Sequence, residues 1–180
     1  KTDMSNLRLI NETTLSSSVS TLSVTDVFSA DYDIYKITMN DFSTASSTAT
    51  ETFLRFINSS GSVINSGSLY ARADLYMPAD TGFSEIRSTG DDEIHYAVGT
   101  LDDSPQGGSA VHYIFNPYSS SSYTFNINQN SSFYSNPRFL TNKGIGVLKQ
   151  TSSITGFQIV FDVSNANAGV CRTYGLRVDS

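Results

Sequence analysis

Gly156-Phe157-Gln158-Ile159-Val160-Phe161-Asp162-Val163 alternates, and Thr173-Tyr174-Gly175-Leu176-Arg177-Val178 alternates again. Strand side chains point to opposite faces with period two, so each run can bury one face and wet the other. The link Ser164-Asn165-Ala166-Asn167-Ala168-Gly169 supplies the Asn and Gly that a chain reversal uses. The spacing predicts a β-hairpin over 156–178 with Phe157, Ile159, Phe161, Tyr174 and Leu176 in the core. On this reading the hairpin closes the fold, and the N-terminal segment is left as the attachment arm.

Outward from that stretch, the chain reads as strands and polar turns. Residues 7–11 and 19–24 suit two short strands. Residues 32–41 are stronger, with Tyr35, Ile37 and Met39 on one face. Residues 52–58 carry Phe53 and Ile57 on one side and Leu54 and Phe56 on the other, the pattern of a strand covered on both faces. Residues 68–77 read either as a helical turn or as a strand; at most one short helix is expected in the chain, this is the best place for it, and Pro78 ends the element either way. Residues 80–92 read as a loop carrying Phe83 and Ile86. Residues 94–100 form a strand. Residues 111–116 and 123–128 form a hairpin with a longer loop. Residues 138–150 include Gly144 and Gly146, which mark a bulge or a close backbone approach.

About ten strands at this spacing predict an all-β fold, a jelly-roll-like antiparallel β-sandwich. At 180 residues, residues 1–15 are expected as an N-terminal strand and attachment arm, and 16–180 as a single sandwich domain. Seventeen acidic against eleven basic residues give a net charge of −6. The bases are scattered, which argues against a nucleic-acid partner. No apolar run reaches the roughly 20 residues of a membrane helix, and no apolar leader marks the chain for secretion. A membrane partner is therefore not expected.

The chemistry-bearing residues are sparse. Cys171 is the only cysteine, so no intrachain disulfide or cysteine metal site is expected, and a buried thiol is. Asp91-Asp92-Glu93 and Asp102-Asp103 lack the spacing of a calcium loop and read as solvated carboxylates. His95 and His112 approach each other only if their strands pair, and they form no zinc motif. With no nucleophile elbow and no phosphate-binding glycine loop, the chain is read as non-enzymatic, without a cofactor or metal. The suggestive residues are Tyr113, Tyr118, Tyr123 and Tyr134, which lie around polar loops. Phenol rings suit protein interfaces and sugar faces.

Four segments carry a resemblance: Val24 through Ile37, Leu54-Arg55-Phe56-Ile57-Asn58-Ser59-Ser60-Gly61, Ile114-Phe115-Asn116-Pro117, and Gly156-Phe157-Gln158 closing on Tyr174-Gly175-Leu176-Arg177. Together they resemble virion structural proteins of tailed bacteriophages, particularly those infecting marine cyanobacteria. The resemblance implies a β-sandwich on the particle surface, present in repeated copies and as a homotrimer, packed on neighbouring virion proteins. It implies assembly in the host bacterial cytoplasm and no catalytic residues. Recognition of a host surface glycan through the Tyr-bearing loops is the alternative. Cyclic assembly would also account for the two-faced strand at 52–58.

Overall fold

The computed structural model describes residues 6–134 and 138–177. Thirteen strands and no helix occupy them: β1 (Leu7–Thr14), β2 (Thr21–Val24), β3 (Ile34–Thr44), β4 (Thr50–Asn58), β5 (Val63–Ile64), β6 (Tyr70–Pro78), β7 (Ser84–Asp91), β8 (Ile94–Leu101), β9 (Gly108–Phe115), β10 (Thr124–Tyr134), β11 (Arg138–Leu148), β12 (Ile154–Phe161) and β13 (Ala166–Leu176). The larger sheet has eight strands in the order β1-β13-β3-β9-β10-β11-β6-β7. The smaller has the order β2-β12-β4-β5, with β8 joined to β4. Every strand pairing is antiparallel. The protein is an all-β sandwich.

The core draws on both sheets. Tyr35, Ile37, Met39 and Phe42 of β3 meet Leu54 and Phe56 of β4 and Phe157, Ile159 and Phe161 of β12. Aromatic contacts tie the layers, among them Phe28 with Tyr35 at 4.7 Å between ring centres and Phe42 with Phe161 at 6.1 Å. Cys171 is buried here, and burial pushes its thiol up to about 12. Of the residues expected in the core, Tyr174 and Leu176 are only half-buried and point outward. The inward positions of β13 are Cys171, Thr173 and Gly175. A Cβ on Gly175 would meet the Tyr32 ring at 2.6 Å, so this face of β13 takes a ring from outside the strand.

The expected hairpin is not one. β12 pairs with β2 and β4 in the smaller sheet, whereas β13 pairs with β1 and β3 in the larger. The link 162–165 crosses between the layers. Four extended residues reach about 13 Å, enough to span two sheets packed about 10 Å apart. Val178 lies outside the described residues.

Of the two readings open for 68–77 the strand holds, as β6, with Tyr70, Asp74 and Pro78 buried and Ala73 and Leu75 exposed, a period of two. Other expectations change. Most of the loop expected over 80–92 is strand β7. Strand β4 is covered on both faces within one molecule: Phe53 packs on His95 at 4.6 Å and Ile57 is buried. Its two-sided apolar pattern therefore needs no second copy. Leu7–Thr14 forms an edge strand on β13, and residues 1–5 of the expected arm lie outside the described residues.

Strand β8 sets the interior. Tyr96 and Gly99 have φ of 56° and 104°, and the register against β4 slips between Glu51 and Phe53. Its backbone there leaves the ladder and finds side chains instead. Asn130 Nδ2 donates to Tyr96 O at 2.7 Å, and His112 Nε2 lies 2.7 Å from Ala97 O. Thr52 Oγ1 accepts from Val98 N and donates to Gly99 O, each at 2.8 Å. Buried backbone groups must be paired, so the strands facing β8 present polar residues inward.

On β10 these are Asn126, Asn128, Asn130 and Ser132, all buried. Gly144 and Gly146 of β11 leave room for them and for Ile94, a close approach without any slip in register. A Cβ on Gly144 would lie 2.2 Å from Asp74 Oδ1 and 2.6 Å from Asn128 Oδ1. We expect Gly144→Ala to cost about 1–3 kcal/mol in urea unfolding, because two buried polar side chains would have to move. Gly82→Ala, at a position with nothing within 4 Å, should be neutral within about 0.5 kcal/mol.

Candidate functional site

Because β10 turns its Asn positions inward, the period of two turns its apolar positions outward. Phe125 and Ile127 are 47% and 44% exposed, and Ile145 of β11 is 58% exposed. Pairing registers extend this pattern across the sheet. One row runs Leu7, Leu176, Ile34, Phe115, Phe125, Val147 and Ala71, from β1 to β6. The next runs Leu9, Tyr174, Lys36, Tyr113, Ile127, Ile145, Ala73 and Arg87, ending on β7. The third is mostly polar, with Glu12 and Arg172 paired at 2.6 Å, then Thr38, Val111, Gln129, Lys143, Leu75 and Glu85.

Seven strands at their normal spacing make the apolar band about 30 Å wide, with an area on the order of 300 Å². That is the scale of the functional patches found on monomer surfaces. Where β10, β11 and β6 meet β7, the band dips into an open groove of about 920 Å³. Its apolar lining includes Phe115, Phe125, Ile127, Ile145 and Val147, and its rim carries Arg87, Ser88 and Thr89.

Three of the four tyrosines singled out from sequence lie at this band. Tyr113 is in its second row. Tyr118 and Tyr123 are exposed on the β9–β10 loop, just past the first row. That loop is held by Asn116 N–H donating to Asp33 O and by Ile154 N–H donating to Pro117 O, each at 2.8 Å. Tyr134 sits apart, buried at the other end of β10 and 3.4 Å from Arg138 Nη1. Sequence reasoning missed Phe125, Ile127 and Ile145, because alternation alone assigns the apolar face of a strand to the core.

Several titratable residues are tied into the fold. Arg72 bridges Asp74 at 2.9 Å and Asp91 at 2.7 Å, and Arg55 holds Glu93 at 2.7 Å. Asp91, Glu93 and Asp102, expected as solvated carboxylates, are thus paired or buried. Burial raises Asp74 and Glu93, and the adjoining arginines oppose that rise. His95 and His112 do not meet across paired strands, since β8 pairs with β4 and β9 with β3 and β10. His95 stacks edgewise on Phe53, and burial lowers it to about 4. His112 is wholly buried, and burial lowers it too. A neutral ring donating from Nε2 to Ala97 O needs a donor at Nδ1. The Asn126 amide, whose Oδ1 is placed 3.0 Å away, supplies one by turning its NH₂ to the ring. Among the described residues no group of three or more His, Cys, Asp or Glu is placed to hold a metal ion.

Compared with protein-family models, with curated proteins and with solved structures, the chain matches none.

Two outcomes test this geometry. Ile145→Lys should change folding stability by no more than about 0.5 kcal/mol, whereas Phe157→Ala, in the core, should cost about 3–5 kcal/mol. Chemical denaturation of both variants checks the orientation of the face. For His112 the sign is fixed by its lowered pKa. The unfolded chain takes up a proton below about 6.5 and the folded one only at lower pH, so stability drops as the pH is lowered through this range, by up to about 1.4 kcal/mol per unit. Protonation of the raised carboxylates in the fold works the other way. His95, also lowered, works in the same direction as His112, so the measurement is the difference between wild type and His112→Gln, which should remove the share of the slope that belongs to His112.

Proposed function

We propose that this chain is a non-enzymatic virion structural protein of a tailed bacteriophage, a surface component of the tail, baseplate, fibre or capsid decoration. It works by packing against copies of itself and against neighbouring virion proteins. The observation that carries the assembly reading is the inverted polarity of β10 and β11, with Asn inside and Phe125, Ile127 and Ile145 in water. An apolar face that contributes nothing to the core is favourable only once another protein covers it. The phage setting is supported by the sequence resemblance. The non-enzymatic reading is supported by the capture of Asp74, Asp91, Glu93 and His112 in structural pairs.

A second reading has its own observation. Tyr118 and Tyr123 are exposed on the β9–β10 loop, between Phe115 and Phe125 of the groove lining in the chain, as on a glycan-binding loop. The groove lining is mostly aliphatic and phenyl, with its hydroxyls and Arg87 confined to the side of β7, so most of it offers sugar hydroxyls few partners. That favours a protein ligand.

The test is location. Labelled antibody and electron microscopy of purified particles should place the protein on the particle surface, and absence from the particle would sink the virion reading. Ile145→Lys should lower its incorporation about tenfold or more. Full incorporation of that variant, with binding to a glycan array lost on Tyr118→Ala, would favour the glycan reading instead.

A further inference from the structure

The larger sheet ends on β7, whose outer edge pairs with no other strand among the described residues. An open edge carries unpaired backbone N–H and C=O groups and is a template for another strand. Residues 83–89 read Phe-Ser-Glu-Ile-Arg-Ser-Thr. Glu85 and Arg87 are exposed on the outer face, opposite Leu75 and Ala73 of β6. Neither has an ion-pair partner among the described residues. Phe83, just before the strand, is 69% exposed, more than any other large apolar side chain described.

We infer that β7 is the contact between two copies of this chain, paired antiparallel about a two-fold axis at Ile86. This rests on the assembly reading and names its partner as a second copy. The charge pattern selects the register. With Ile86 opposite itself, each Glu85 faces the other copy's Arg87 on the same side of the sheet, giving two ion pairs. Moving the axis by one residue either way sets Glu85 against Glu85 or Arg87 against Arg87.

The same register carries each Phe83 toward the other copy's Thr89, at the rim of that copy's groove. Lys149 Nζ already donates to Thr89 O, so the ladder covers about residues 84–88 and Phe83 overhangs it. Symmetric pairing of one surface with itself is the commonest route to a closed dimer. It joins the two grooves and their apolar bands into one continuous outer face. The resulting symmetry is two-fold, unlike the three-fold symmetry that the phage resemblance implies.

The experiment is a charge swap read by sedimentation at several concentrations. The full chain should be a dimer. Glu85→Arg and Arg87→Glu should each weaken dimerisation at least about tenfold, since symmetry places like charges together twice. The double variant with both changes should dimerise as the wild type does. Ile86→Cys should cross-link to itself under oxidation, because opposed Cα atoms in an antiparallel pair lie within disulfide reach and Cys171 is buried. All three positions are on an edge strand, and unchanged thermal unfolding of the variants will show that the fold persists. A monomeric wild type, or a dimer indifferent to single reversals and not cross-linked through position 86, overturns the inference. In either case incorporation into particles still tests the assembly reading separately.

Discussion

The backbone of β8 between Tyr96 and Gly99 cannot follow its neighbour, and the rest of the sandwich answers to it. Four residues there stand against Thr52 alone, with two positive φ angles in the run. The carbonyls of Tyr96, Ala97 and Gly99 and the amide of Val98 lie in the interior, where an unpaired group costs about 1–3 kcal/mol. Asn130, His112 and Thr52 meet them. Asn130 cannot point inward alone. In a strand of period two it brings Asn126, Asn128 and Ser132 with it, and it sends Phe125 and Ile127 to water. The exposed apolar band is thus the reverse side of a buried hydrogen-bonding requirement.

This arrangement loads the isolated molecule twice. The inner row is incompletely satisfied: Asp74 Oδ1 and both polar side-chain atoms of Asn128 and Asn142 find no partner among the described residues. The outer row leaves large apolar side chains in solvent. Burial recovers about 25 cal/mol per Å² of apolar surface. A band on the order of 300 Å² would then contribute several kcal/mol per copy when covered, enough to matter for a protein presented many times on one assembly.

The fold class was legible because β3, β4 and β12 follow the rule that apolar positions face inward. Tyr35, Ile37, Phe56 and Phe157 all lie where alternation places them. The partner of each strand was not legible. β12 and β13 look like a hairpin because their link holds turn residues, yet a link of this length can also pass between sheets, and period two does not distinguish the two outcomes. The choice between helix and strand before Pro78 was not legible for a related reason. Ala71, Ala73 and Leu75 are helix formers, but Tyr70 and Asp74 are drawn inward by bonds to Ile64 O and to Arg72, which favours the strand.

The working face was legible only in part. Tyr113, Tyr118 and Tyr123 could be chosen from sequence, since tyrosines beside polar loops are amphipathic. Phe125, Ile127 and Ile145 could not be, because their exposure depends on β8, a separate strand far back in the chain. One signal was available: Asn recurs at 126, 128 and 130, and three amides on one face of a strand beside glycines suggest partners inside the fold.

The inverted face is tested most directly by methyl NMR with a soluble paramagnetic agent, at a dilution where sedimentation shows a monomer. The account predicts strong broadening of the Ile127 and Ile145 methyls and none for Ile37, Ile114 and Ile159. Protected Ile127 and Ile145 methyls in the monomer would mean that β10 and β11 pack the other way round, and would contradict it.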